Sequence, residues 1–142
     1  TLLMTLLYTT AALAIGLGVA FLVIGEVGLS GTGRESQFAF YAADFGAECA
    51  LYWDLKHPTT PETQFKVPPD DPVFSIDCGG GARTVVYEAP RKFNFFATLD
   101  NGTCVNVTFE RQEGGGAVIT ALGHNTCAGQ GRRIERGLEA RY

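Results

Sequence analysis

Histidine is scarce: His57 and His124 are the two in 142 residues. A His-ligated metal centre or a Ser-His-Asp triad therefore has little raw material. No C-x-x-C pair occurs, which removes the usual spacing of a structural zinc site. Gly79-Gly80-Gly81 and Gly114-Gly115-Gly116 open no helix and are followed by no Gly-Lys-Ser/Thr, so neither is a phosphate loop. Asp70-Asp71, with Asp77 or Asp100, lacks the spacing of a calcium loop, and two adjacent carboxylates in a proline-rich stretch do not face each other across a cleft. Positive charge is in deficit, with a net charge of −4, which argues against nucleic acid as a constitutive partner. These absences leave catalysis without support, and no enzyme activity, metal or cofactor is expected.

Charge is also missing from the front of the chain, where no charged side chain precedes Glu26. Residues 2–24 are apolar and long enough to cross a bilayer as a helix, at ~1.5 Å per residue against ~30 Å of hydrocarbon. The chain opens at Thr1 directly ahead of this run, with no basic n-region and no A-x-A site after it. The expectation is a peptidase that cuts before the hydrophobic segment and leaves it on the mature protein. Thr5, Tyr8, Thr9 and Thr10 give the first turns a polar stripe suited to helix–helix contact. Gly16 and Gly18, then Gly25, Gly28, Gly31 and Gly33, each weaken a helix by ~1 kcal/mol relative to Ala. They mark candidate points of interruption or of unwinding when neighbouring helices crowd in. Residues 1–30 are thus read as a hydrophobic stem, membrane anchor first and polymer core afterwards.

Residues 31–142 read as one globular domain in three parts. In 31–56, Ser30 and Thr32 are candidate N-caps, and Thr32-x-x-Glu35 has capping-box spacing. Phe38, Tyr41, Phe45, Cys49, Tyr52 and Trp53 then recur at steps of three and four. That stripe is expected to be the face packed on a sheet, with Ala39, Ala42, Ala43, Gly46, Ala47 and Ala50 allowing close approach. In 57–72, Pro58, Pro61, Pro68, Pro69 and Pro72 indicate an extended surface linker, with His57 a solvated loop residue.

In 73–142, period-two alternation predicts an antiparallel β-meander with one wet face and one face for the helix. Phe93, Phe95, Ala97 and Leu99 share one side, as do Val105, Val107 and Phe109, with Cys104, Asn106 and Thr108 opposite. Asp100-Asn101-Gly102 is a hairpin turn signal through positive φ at Asn-Gly. Ile134, Leu138, Ala140 and Tyr142 form a last inner row that only Arg136 spoils. The fold class is α+β, a long N-terminal helix packed on a small antiparallel sheet. Asn101 and Asn106 sit in N-x-Ser/Thr triplets, which occur often by chance. Four widely spaced cysteines favour two disulfides in an oxidising compartment. Three pairings are open; the one expected is Cys49–Cys78, stapling helix to first strand, and Cys104–Cys127, closing the later hairpin.

The run Arg34-Glu-Ser-Gln-Phe-Ala-Phe-Tyr-Ala-Ala-Asp-Phe-Gly-Ala-Glu-Cys-Ala, entered from an uncharged stem, resembles the N-terminal region of type IV pilins. It is most similar to PilX-like pilus proteins, chiefly in Ala39-Phe-Tyr-Ala-Ala-Asp-x-Gly-x-Glu48, and the likeness covers roughly residues 1–55. The resemblance implies a type IV pilin fold, a prepilin peptidase, a methylated N-terminus at Thr1, passage through the inner membrane and a pilus assembly machinery. It further implies a homo-oligomeric extracellular filament serving adhesion, twitching motility or DNA uptake. Major pilins usually carry glutamate at the fifth mature position, where this chain has Thr5, and the absence of that glutamate resembles tip-forming minor pilins. Glu26 is then the one stem carboxylate able to receive a neighbour's N-terminal amine. A monomeric membrane-anchored surface domain is the alternative from a different class.

Overall fold

The computed structural model describes residues 1–56, 65, 71–127, 129 and 132–142. The linker features at His57, Pro58, Pro61, Pro68, Pro69 and Asp70 lie outside the described residues. The chain forms two compact units, Thr1–Arg34 and Glu35–Tyr142. One helix, α1 (Leu2–Leu55), is followed by strands β1 (Val73–Cys78), β2 (Gly81–Glu88), β3 (Lys92–Thr98), β4 (Cys104–Arg111), β5 (Ala117–His124) and β6 (Glu135–Arg141). The strands make one sheet in the order β1-β2-β3-β4-β5-β6, each pair antiparallel. The architecture is α+β.

The helix runs unbroken through the glycine series, so the expected interruption near Ser30 is corrected. No glycine of α1 takes positive φ, and a glycine in helical conformation weakens the helix without breaking it. Thr32 does not cap a new helix. Its hydroxyl donates to the Gly28 carbonyl one turn back, at 3.0 Å.

The face of α1 that meets the sheet is also a correction. Ala39, Ala42, Ala43, Gly46, Ala47, Cys49 and Ala50 are the buried residues of the helix. Of the aromatic stripe expected there, Phe38 is 37% exposed, Tyr41 64% and Tyr52 48%. Phe45 and Trp53 are packed against the core from its edge. The two stripes share the same period and lie roughly a third of a turn apart, at 100° per residue. The sheet decides between them, because its inner face already carries the bulk: Phe93, Phe95, Val105, Val107, Phe109 and Ile119 are buried. Small residues on the helix complement large ones on the strands, as close packing demands. A Cβ on Gly46 would stand 2.6 Å from a Val107 methyl.

The hairpins follow their turn chemistry. Gly79 and Gly80 (φ 62° and 78°) form the two-residue loop closed by Cys78 opposite Gly81, which needs positive φ at both central positions. Between β3 and β4 only Gly102 supplies positive φ, and Asn101 does not. Asn101 instead accepts from the Thr103 amide at 3.1 Å and hydroxyl at 2.7 Å, bracing a longer loop.

Two residues behave differently from expectation. Phe65, inside the stretch read as a surface linker, is fully buried, stacked on Phe109 at 4.3 Å and edge-on to Phe93 at 5.3 Å. Cys104, placed on the outer row, is buried at the start of β4. Arg136, the charge that interrupts the last inner row, reaches the helix, its Nε donating to the Ser36 hydroxyl at 2.7 Å.

Candidate functional site

In the first unit, leucine, alanine and methionine favour the helix, and no proline interrupts it. Residues 1–31 are exposed throughout, including Leu2, Leu3, Leu6, Leu7, Ile15, Phe21, Leu22 and Ile24. The helix is long and apolar enough to cross a membrane, and its most apolar window has none of its residues buried. Its length and composition are compatible with membrane insertion or with a signal sequence.

The polar groups of this surface are largely spent within it. The Thr5 hydroxyl donates to the Leu2 carbonyl at 2.9 Å, that of Thr9 to Leu6 at 3.1 Å, and that of Thr10 to Leu6 and Leu7 at 3.0 Å. Such back-bonding leaves the expected polar stripe with Tyr8 as its unspent member. The Thr1 carbonyl accepts the Thr5 amide at 3.2 Å, the first helical bond. Glu26 is exposed. At Gly16 and Gly18 a Cβ would meet nothing within 4 Å, so no contact within the chain requires glycine there.

In the second unit, Phe38, Phe40, Tyr41, Tyr52 and Leu55 leave large apolar side chains in solvent along α1. Cys49 and Cys78 are joined in a disulfide with Cα atoms 5.9 Å apart, tying the helix to the end of β1. Trp53 donates its indole N–H to the Asp77 carbonyl at 2.8 Å beside it. An open cleft of about 300 Å³ runs past the disulfide between Phe45, Glu48, Tyr52, Trp53 and Asp77.

A half-buried polar cluster with the Asp54 carboxylate at its centre joins the helix, β4 and the residue after β6. The Asp54 side chain is 2% exposed and faces the Arg111 guanidinium, with a second Arg111 N–H at 3.3 Å. The Tyr142 hydroxyl donates to the same carboxylate. Burial, then the Asp54 carboxylate, push the Tyr142 phenol above its ordinary range. Arg111 also lies 5.0 Å over the Phe109 ring. This arrangement neutralises a carboxylate that burial would otherwise make costly. The sequence carried a signal for it: Ala43, Ala47, Ala50 and Asp54 share one helical face, and Arg111 continues the inner row of Val105, Val107 and Phe109.

At the other end of β4, Cys104 lies opposite His124 in the β4–β5 ladder. Cys104 and Cys127 are both free thiols, so the second bridge expected is not formed. His124 is buried and accepts from Arg133 Nε at its Nδ1, 3.2 Å away, with Glu135 3.5 Å from the same nitrogen. Burial, then Arg133, lower its pKa, against Glu135 which raises it. Among the described residues, no group of three or more His, Cys, Asp or Glu is placed to hold a metal ion. Asp71 accepts from the Val73 amide at 2.9 Å. Asn101 and Asn106 are both exposed, the first in the β3–β4 turn and the second within β4.

Compared with known protein families, curated proteins and solved structures, the chain finds no match.

Proposed function

We propose that the chain is a structural subunit of an extracellular type IV pilus-like filament, with a type IV pilin fold, that polymerises through its N-terminal helix. The observation that carries the reading is the apolar surface of residues 2–29, exposed along its whole length. Each large apolar side chain left in water forfeits about 1.5–3 kcal/mol relative to burial. Such a surface calls for cover, by lipid before assembly and by sister helices afterwards. Transfer from lipid to protein then rests on packing, which small residues such as Gly16 and Gly18 favour. The sheet domain forms the outside of the polymer, and adhesion, motility or DNA uptake follow from the filament and not from a site within one subunit. The pattern at 39–48 supports the family assignment.

Thr5 favours a second reading within the same machinery, a minor subunit at the tip or at the start of assembly. Its hydroxyl is engaged by Leu2, and it carries no charge to pair with an amine. Electron microscopy of fibres sheared from cells, with protein identification of the bands, tests both. A dominant band of this chain supports the filament-building subunit, and trace amounts support the minor one. A chain absent from fibres and monomeric in detergent overturns both in favour of a membrane-anchored surface domain.

A further inference from the structure

The cleft beside the Cys49–Cys78 bridge combines aromatic walls with charge of one sign. Phe45, Glu48 and Tyr52 stand at steps of three and four, so they share one side of α1, with Trp53 next to Tyr52. The disulfide fixes this side of the helix to the end of β1 and brings Asp77 and Gly79 into the same lining. A Cβ on Gly79 would stand 3.0 Å from the Phe45 ring, so that ring rests against the β1–β2 turn. Phe45 and Trp53 pack against the core with part of each ring left outside it, and Tyr52 is largely exposed. The bond from the Trp53 indole N–H to the Asp77 carbonyl sets the orientation of the indole. Tyr52 stands edge-on to it, ring centroids 6.2 Å apart and planes at 84°.

Glu48 and Asp77 are exposed, and among the described residues neither carboxylate has an ion pair or a hydrogen bond. Nor does any described lysine, arginine or histidine line the cleft. Electron-rich ring faces beside two carboxylates with no counter-charge attract a cation and repel phosphate. We propose that this cleft captures an arginine side chain presented by a partner polypeptide. At about 300 Å³ it has room for one long side chain and not for a folded element. Among cations the guanidinium matches the lining best. It is planar, stacks on aromatic faces, donates two parallel N–H bonds to a carboxylate and is more weakly hydrated than an ammonium. A quaternary ammonium has no N–H for Glu48 or Asp77 to accept, and a lysine ammonium gives up its water at greater cost. The disulfide and the Trp53 bond hold the walls before the ligand arrives, which lowers the cost of binding. This recognition element belongs to the sheet domain and does not depend on whether the stem polymerises.

Trp53 is the one tryptophan of the chain, so its emission reports on the cleft directly. The full chain in a nonionic detergent is titrated with Nα-acetyl-arginine amide, with the citrulline and lysine counterparts and tetramethylammonium run beside it. The expected result is a saturable change with the arginine compound, none with the uncharged citrulline one, and weaker binding of the other two cations. Tyr52→Ala should weaken arginine binding by about two- to fivefold. Glu48→Gln combined with Asp77→Asn should weaken it by at least about threefold. Added salt should weaken it as well, since the charges are exposed. The proposal is overturned by any of four results: no saturable change, an equal response to citrulline, lysine or tetramethylammonium binding at least as tightly as arginine, or unchanged affinity without the two carboxylates. The comparison of ligands on the wild-type chain decides the matter even where a variant misfolds.

Discussion

Gly123 and Ala39 meet backbone to backbone. A Cβ on Gly123 would stand 2.0 Å from the Ala39 carbonyl oxygen and 2.5 Å from the Ala43 amide nitrogen. Gly123→Ala should therefore cost about 3 kcal/mol or more, because neither the helix nor β5 can move aside. Gly46→Ala, which meets only valine methyls, should cost about 1–3 kcal/mol. Urea titrations of the two variants check the order.

The Asp54–Arg111 pair makes a second prediction. Arg111→Ala should destabilise by about 3–5 kcal/mol, since it leaves a buried carboxylate uncompensated. Replacing both residues by leucine should recover most of that loss, and Tyr142→Phe should cost about 1 kcal/mol. Denaturant midpoints of the three variants test this, and a larger loss in the double variant would contradict it.

The lowered pKa of His124 sets a pH dependence. Above the ordinary histidine value, both folded and unfolded chains hold this group neutral, and it contributes no slope. As pH falls below about 6.5, the unfolded chain binds the proton first, so stability drops by no more than about 1.4 kcal/mol per pH unit until the folded pKa is passed. Thermal melts at pH 7 and pH 5 should show a smaller loss in His124→Gln than in the wild type.

Substitutions at Gly16 and Gly18 separate polymer from anchor. With open space around both positions in the chain, the double change to leucine should leave membrane insertion intact while reducing fibre yield severalfold. Unchanged fibre yield would remove close stem packing. Glu26→Gln should also lower yield if the carboxylate receives a neighbour's amine, and normal yield removes that pairing.

Tyr41→Ala should change unfolding free energy by less than about 0.5 kcal/mol, because the ring is solvent-exposed. Phe65→Ala should cost about 3–5 kcal/mol. The contrast is measured in one set of melts.

The strands were legible because alternation at 93–97 and 105–109 has only one reading on a half-buried sheet, and the glycine pairs mark the turns. That Cys49 faces what covers the helix was legible from its helical position, and Cys78, the partner expected among three open pairings, is the one it has. The buried face of α1 was not, since aromatic and small stripes share one period and only the bulk of the opposing sheet chooses between them. Phe65 was hidden by its prolines, which report backbone preference and say nothing of where one ring goes. Asp54 and Arg111 are 57 residues apart, and each alone looks like a surface charge. For the stem, what was read is an apolar surface, and only other molecules can complete it.

The bridge between Cys49 and Cys78 closes a covalent ring around the segment that joins helix to sheet. A protease that severs one peptide bond inside that ring cannot part the greasy end from the folded end, and the nicked chain stays one molecule until a reductant reaches the sulfurs.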